Sequence, residues 1–290
     1  MKLLPLIFVT LFFLIVGCKK EEVTTCETNS TTEPVLLFKS GFENGVYIDP
    51  TAYVDNEDYR FIRGLDLQTG FSWPISVLGA SNSALHYIED DNHQAVNAQI
   101  MKTIGHNGDS TMVLFQKENY AFHEDTQCPY EILDIADGSS DLYIKFWIKL
   151  DSLSLTQVDK WRTFFEYKTK DYASGDGFRL ISYIYTDLSG NPYWHFQGDR
   201  DPVNYLWEID NTSVPVPMNE WFETEFYWHW SEGDDGYVMW KVNGQLIGEH
   251  SGPTTRNSKS LDFIILSQIY GDANPKYQYV DDIEIWNKVP

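Results

Sequence analysis

The chain has 290 residues and a formal net charge of −22. That balance argues against a nucleic-acid partner, whose phosphates would be repelled at long range, and it weighs against a heavily sulfated glycan unless positive charge is concentrated in one cleft. Aromatic residues make up 16% of the chain, with 10 Trp, 18 Tyr and 17 Phe, a composition suited to a secreted domain that binds or cleaves its target.

Met1 and Lys2 precede a short apolar block, LLPLIFVTLFFLIVG, at residues 3–17. A membrane-spanning helix needs about 20 apolar residues. This block is shorter and contains Pro5, so it reads as a signal peptide over residues 1–17. The sequence Ile15-Val16-Gly17-Cys18 resembles a bacterial lipobox, whose cysteine is acylated and becomes the new N-terminus. Lys20-Glu21-Glu22 resembles the lysine-plus-acidic export tag of Bacteroidetes surface lipoproteins. The two resemblances imply a lipid on Cys18, an outer-membrane, cell-surface location, and membrane contact through that anchor alone. Residues 18–34 would form a tether, because KKEEVTTCETNSTTEP (19–34) holds no aromatic residue and cannot bury enough surface to fold. Cys26 and Cys128 either pair in an oxidising compartment or remain as two thiols. Residues 35–290 are then expected to be one domain, and a monomer.

Two-residue alternation dominates that domain. In YIKFWIKL, Ile144, Phe146, Ile148 and Leu150 oppose Tyr143, Lys145, Trp147 and Lys149. In GFRLISYIYTD, Phe178, Leu180 and Ile184 oppose Arg179, Tyr183 and Tyr185. Trp194 and Phe196 oppose Tyr193, His195 and Gln197. Phe222, Phe226, Trp228 and Trp230 oppose Glu223, Glu225, Tyr227 and His229. Turn clusters such as DLSGNP (187–192) and SEGDDG (231–236) separate these runs. Long helical periodicity is absent. The expected fold class is all-β: two packed antiparallel sheets, a sandwich or jelly roll.

The hairpin DGYVMWKVNGQLIGEHSG (235–252), the closing stretch YQYVDDIEIWNKVP (277–290), YIKFWIKLD and NEWFETEFYWHW together resemble the concanavalin A-like jelly roll of secreted carbohydrate-active proteins. Within that group the resemblance is to heparin-lyase-like and glucuronan-lyase-like polysaccharide lyases, over roughly residues 140–290. It implies one concave sheet whose open face is the glycan groove. Sugars present both hydroxyls and apolar C–H patches, so such a groove calls for aromatic platforms and polar groups. Trp147, Tyr183, Tyr185, Tyr193, Gln197 and Tyr227 fit that description, and Gln268 and Tyr270 join them as candidate glycan contacts.

Three chemistries compete. Retaining glycoside hydrolysis needs two carboxylates about 5–5.5 Å apart. Glu223 and Glu225 share a face at suitable spacing, although the Glu-x-Asp-x-x-Glu pattern of jelly-roll glucanases is absent and such a pair also reads as a plain polar face. β-Elimination from a uronic-acid polymer needs a neutraliser for the carboxylate, a base and an acid. The resemblance implies His or Tyr for the proton transfers and Arg, Lys, Gln or Asn as neutraliser. His195 and His229 are the candidate bases, Tyr227 or Tyr270 the acid, and Arg162, Arg179 or Gln268 the neutraliser. Arg162 is expected to share its face with Glu166 and Lys168. The third reading is glycan capture without chemistry. Lyase action is preferred. No cofactor is required by any of these readings. The acidic loops 88–91 and 232–235 carry oxygen ligands of the kind structural calcium takes, although each also reads as a solvated turn.

Overall fold

The computed structural model describes residues 33–49, 59–75, 83–86, 98–118, 130–134, 140–169, 172, 177–200, 205–256 and 261–290. Cys18, Cys26, Cys128, the apolar leader and the acidic loop 88–91 lie outside the described residues. Residues Pro34–Pro290 form one compact unit.

The domain begins with β1 (Leu36–Ser40), β2 (Tyr47–Asp49), β3 (Tyr59–Leu65), β4 (Ser72–Trp73), β5 (Ser83–His86) and β6 (Ala98–Ile104). Next come β7 (Ser110–Glu118), β8 (Tyr130–Asp134), β9 (Asp141–Leu150), the single turn α1 (Ser152–Leu155), β10 (Lys160–Thr169), β11 (Arg179–Thr186) and β12 (Pro192–Asp199). The chain closes with β13 (Tyr205–Asn211), β14 (Trp221–His229), β15 (Tyr237–Val242), β16 (Gln245–Ser251), β17 (Leu261–Gln268) and β18 (Lys276–Trp286). They form two antiparallel sheets. One runs β16-β15-β14-β9-β18-β7-β6, with β1 also on β18; the other runs β13-β12-β11-β10-β17-β8-β5-β3-β2, with β4 on β3. This is the all-β jelly roll expected from the alternation.

The inward sets named from sequence are the core. Phe146, Ile148, Leu150, Phe178, Trp194, Phe196 and Phe222 are buried between the sheets, and Trp240 and Val280, not singled out from sequence, join them. Trp194 of one sheet meets Trp240 of the other edge to face, with ring centroids 5.2 Å apart. Each such side chain contributes about 1.5–3 kcal/mol by leaving water. Asn243 and Gly244 both take positive φ, 49° and 72°, which suits the tight turn joining β15 to β16.

One expectation fails in β10, and the reason is a β-bulge. Pairing with β11 shifts between Thr163 and Phe165, and Phe164 and Phe165 are both fully buried. The extra residue reverses the alternation. Glu166 and Lys168 therefore lie on the outer face beside Arg179, whereas Arg162 lies inside, 1% exposed. Its guanidinium donates to Asp151 Oδ2 at 3.1 Å, Ser154 Oγ at 3.1 Å and Gln278 Oε1 at 2.6 Å. Burial lowers its pKa to about 10, against the pull of Asp151 and Glu118, so it remains a cation at neutral pH. Arg162 is a tie between the sheets, out of reach of a substrate carboxylate.

Candidate functional site

The outer face of the ten-stranded sheet gathers most of the expected site. Antiparallel register sets Tyr183 directly opposite His195, Tyr185 opposite Tyr193, Ile181 opposite Gln197 and Arg179 opposite Asp199. On the neighbouring strands, Asp210 faces His195 and Thr163 faces Tyr183. The rings form a continuous surface. Tyr183 and His195 have centroids 5.6 Å apart, Tyr185 and His195 5.2 Å, and Tyr185 and Tyr193 5.8 Å. Trp161 extends this surface, edge-on to Tyr183 at 5.5 Å and to Tyr270 at 5.2 Å.

A chain of polar contacts crosses the same face. Asp210 Oδ1 lies 2.7 Å from His195 Nδ1, and Gln197 Oε1 lies 3.0 Å from His195 Nε2. The Gln197 amide nitrogen donates to Asp199 at 2.6 Å. Arg179 donates twice to Asp199, at 3.1 and 2.7 Å, and once to Glu166 at 3.1 Å. Lys168 Nζ lies 2.6 Å from Glu166, and the Tyr172 hydroxyl donates to Asp199 at 2.8 Å. Burial works against the charge on Arg179, but Asp199 and Glu166 outweigh it and hold the guanidinium above its ordinary range. Burial also raises the Tyr183 phenol, with Arg179 opposing and Glu166 assisting, so the hydroxyl stays protonated at neutral pH. Tyr185 is pushed up to about 12, chiefly by burial.

This arrangement can pass protons. An imidazolium formed at His195 donates to an acceptor on each side, Asp210 and Gln197. A protonated phenol stands beside it. Charge-assisted hydrogen bonds of this kind are the strong ones.

The other candidates lie on the outer face of the eight-stranded sheet, across the core from His195. Asp141 Oδ1 accepts from the Tyr227 hydroxyl at 2.5 Å and lies 2.9 Å from His229 Nδ1. Glu225 accepts from the Tyr143 hydroxyl at 2.6 Å, and Lys145 lies 3.7 Å from Glu223. The Trp147 ring is stacked on His106, with centroids 4.1 Å apart and planes at 7°, so that face is covered. Tyr227, His229, Glu223, Glu225 and Trp147 thus do not join the His195 group. If the site is on the ten-stranded sheet, His229→Ala should change any action on a polyuronate by no more than about twofold, since His229 lies on the other sheet and surface changes away from a site are usually near neutral. Initial rates on a polyuronate check this.

Tyr270 borders the His195 group through Trp161 and is 40% exposed. Gln268 ends β17 opposite Tyr130, and its side chain lies outside the described residues. Sequence reasoning missed Trp161, Tyr172, Asp199 and Asp210 as members of this face, and named Glu166 only as a neighbour of Arg162. Asp210 was within reach, since Glu208 and Asp210 alternate with Trp207 and Ile209 in β13.

Among the described residues, His106, Asp281 and Asp282 bring ligand atoms within 4.8 Å of one another. Burial, together with the charges of Asp282, Glu43 and Asp66, lifts Asp281 to about 8. These three groups are spaced to share one cation. In the acidic loop 232–235, Asp235 is turned to the Ser231 hydroxyl at 2.5 Å.

No protein-family model matches the chain, and no curated protein sequence matches it. Solved structures do resemble it. A double mutant of the alginate lyase Aly36B in complex with an alginate trisaccharide is similar over 67% of this chain and 85% of that one, at 12% identity and a TM-score of 0.50. The endo-β-1,4-glucuronan lyase from the fungus Trichoderma reesei is similar over 71% of this chain and 90% of that one, at 11% identity and a TM-score of 0.49. The marine PL-14 alginate lyase from Aplysia kurodai gives 64% and 86%, at 13% identity and a TM-score of 0.47. At such identities the likeness is one of fold: this chain shares the jelly roll of Aly36B.

Proposed function

We propose that this protein is a polysaccharide lyase that cleaves a uronic-acid-containing glycan by β-elimination on the outer face of its ten-stranded sheet. The observation that carries the reading is the register of Tyr183 opposite His195, with acceptors 2.7 and 3.0 Å from the two ring nitrogens. His195, with its hydrogen on Nδ1 toward Asp210, takes the C5 proton of the uronate at Nε2 once the sugar has displaced the Gln197 amide oxygen from that nitrogen. The C4–O4 bond breaks, C4=C5 forms, and the Tyr183 phenol gives its proton to O4. Gln197 and Arg179 are the groups placed to share the carboxylate charge as it spreads into C5. Tyr185, Tyr193 and Trp161 offer the sugar rings an aromatic floor. The fold likeness to Aly36B is consistent with this reading without identifying the glycan.

A second reading, glycan capture without cleavage, has one observation in its favour. Arg179 and Lys168 already sit on carboxylates of their own face. Incubation with a panel of polyuronates and neutral glycans separates the readings. Ultraviolet absorbance from an unsaturated uronate supports the lyase. Retention without any product supports the binder, and new reducing ends without that absorbance would point to hydrolysis instead.

We also propose that Cys18 carries a lipid that tethers the domain to the cell surface, a reading that rests on the sequence around it. Cys18→Ala should move the protein out of the membrane fraction or leave it unprocessed, as seen by detergent partitioning. Unchanged detergent-dependent association would remove the anchor.

A further inference from the structure

The outer face of the eight-stranded sheet carries a group of side chains that the proposed chemistry does not use. The β6–β7 hairpin ends in a tight turn, where the Gly105 N–H donates to Asp109 O at 2.9 Å and Gly108 takes a φ of 84°. This turn folds across the sheet. The Trp221 indole of β14 donates to Ile104 O at 3.1 Å, and the His106 ring lies flat on Trp147 of β9. The stack fixes the plane of the imidazole and sets its Nε2 2.7 Å from Asp282 Oδ2.

Two successive carboxylates meet that ring because β18 is bulged. In a regular strand Asp281 and Asp282 would point to opposite faces. Here the pairing with β9 shifts between Asp281 and Glu284, Asp282 takes a φ of 46°, and the core residues Val280 and Ile283 flank the pair. Both carboxylates thus offer an oxygen within 4.8 Å of a His106 ring nitrogen. Asp281 is only 2% exposed. Its Oδ1 accepts from the Asp282 N–H at 2.9 Å, whereas its Oδ2 accepts no hydrogen bond from any described residue. A Cβ at residue 105 would stand 3.5 Å from that oxygen, so Oδ2 faces the turn that carries His106. The charges acting on Asp281 most strongly, those of Asp282, Glu43 and Asp66, are all negative. Lys39 and Lys145, on the strands either side of β18, sit on Glu284. A buried carboxylate oxygen with anionic neighbours and no partner calls for a cation.

We propose that His106, Asp281 and Asp282 bind one divalent metal ion of the zinc class. One imidazole nitrogen with two carboxylate oxygens is a donor set that such ions take, whereas calcium prefers oxygen ligands alone. The ion replaces the hydrogen bond between His106 and Asp282. The neutral ring, its hydrogen on Nδ1, gives the ion the lone pair of Nε2, and any proton displaced passes to solvent. The ion neutralises Asp281 and joins the tip of the β6–β7 hairpin to β18, a strand in the middle of its sheet. It stands on the sheet opposite His195, where its work is to hold the hairpin down over Trp147.

The test uses the protein stripped with a chelator and titrated with zinc ion by calorimetry. One ion per chain should bind, and Tm should rise with zinc concentration. His106→Ala, Asp281→Asn and the half-exposed Asp282→Asn should each weaken zinc binding about 100-fold or more, at least the loss that follows removal of a group that merely supports a ligand. Without metal, Asp281→Asn should melt higher than the parent protein, because it removes a buried negative charge from among like charges. With zinc the order should reverse. An Asp281 that only braces the fold would lower Tm in both conditions. No zinc binding by the stripped protein, or affinity unchanged in His106→Ala or in both aspartate variants, would overturn the proposal. Calcium binding more tightly than zinc, with His106→Ala having no effect on it, would show a site of oxygens alone and overturn it equally.

Discussion

Replacing His195 with alanine is expected to lower polyuronate cleavage by about 10²–10⁴, the usual worth of a positioned acid or base. The effect should appear in kcat far more than in KM, because Tyr185, Tyr193 and Trp161 still offer the sugar its floor. Tyr183→Phe should fall in the same range, since it keeps the ring packed 5.6 Å from His195 and removes only the hydroxyl that gives the proton. The double variant should lose little beyond the worse single one, because groups that act as a unit are not additive. Full activity in both single variants would remove the proton-transfer assignment. Full activity in His195→Ala alone, with Tyr183→Phe inactive, would leave the tyrosine as both base and acid.

The second large effect is on stability. Arg162→Ala should destabilise the domain by about 3–5 kcal/mol, the cost of removing one partner from a buried ion pair. It leaves the Asp151 carboxylate facing Tyr277 N, Ser154 Oγ and Ser154 N with no cation, and deprives Gln278 Oε1 of its donor at 2.6 Å. Urea unfolding should show a lower midpoint at unchanged slope. Arg162→Met, which keeps the volume, should still lose most of that stability, because the mostly buried Asp151 carboxylate keeps its place without its cation. A loss below about 1 kcal/mol in both variants would mean that the tie between the sheets contributes little. Activity measured on the folded fraction should be close to normal, which distinguishes this role from the neutraliser role expected from sequence.

The contrast between these two residues measures how much was legible in the chain. His195 was readable because strict alternation with Trp194 and Phe196 dictates its face, and apolar burial enforces that register. Tyr183, Tyr185, Tyr193, Gln197 and Arg179 were placed correctly by the same logic. Arg162 was not, because a bulge leaves no two-residue signature: Phe164 and Phe165 are simply adjacent apolar residues until pairing with β11 shows which one is extra.

By itself the sequence determined the architecture. Period-two burial of large aromatics, broken by Asn-Gly and Asp-rich turns, has one good solution, two sheets facing each other across a core. Outside the β10 bulge it also determined which side chains point away from that core. What it left open was which sheet each outward set belongs to. His195 with Tyr183 and His229 with Tyr227 look alike in alternation, because alternation is local to a strand and carries no information on strand order. Strand order is decided by long-range pairing: β9 joins β14 in one sheet, β10 joins β11 in the other, and the two histidines end on opposite faces. Only that pairing brings Asp210, Gln197 and Tyr183 around one imidazole and leaves the other beside Asp141.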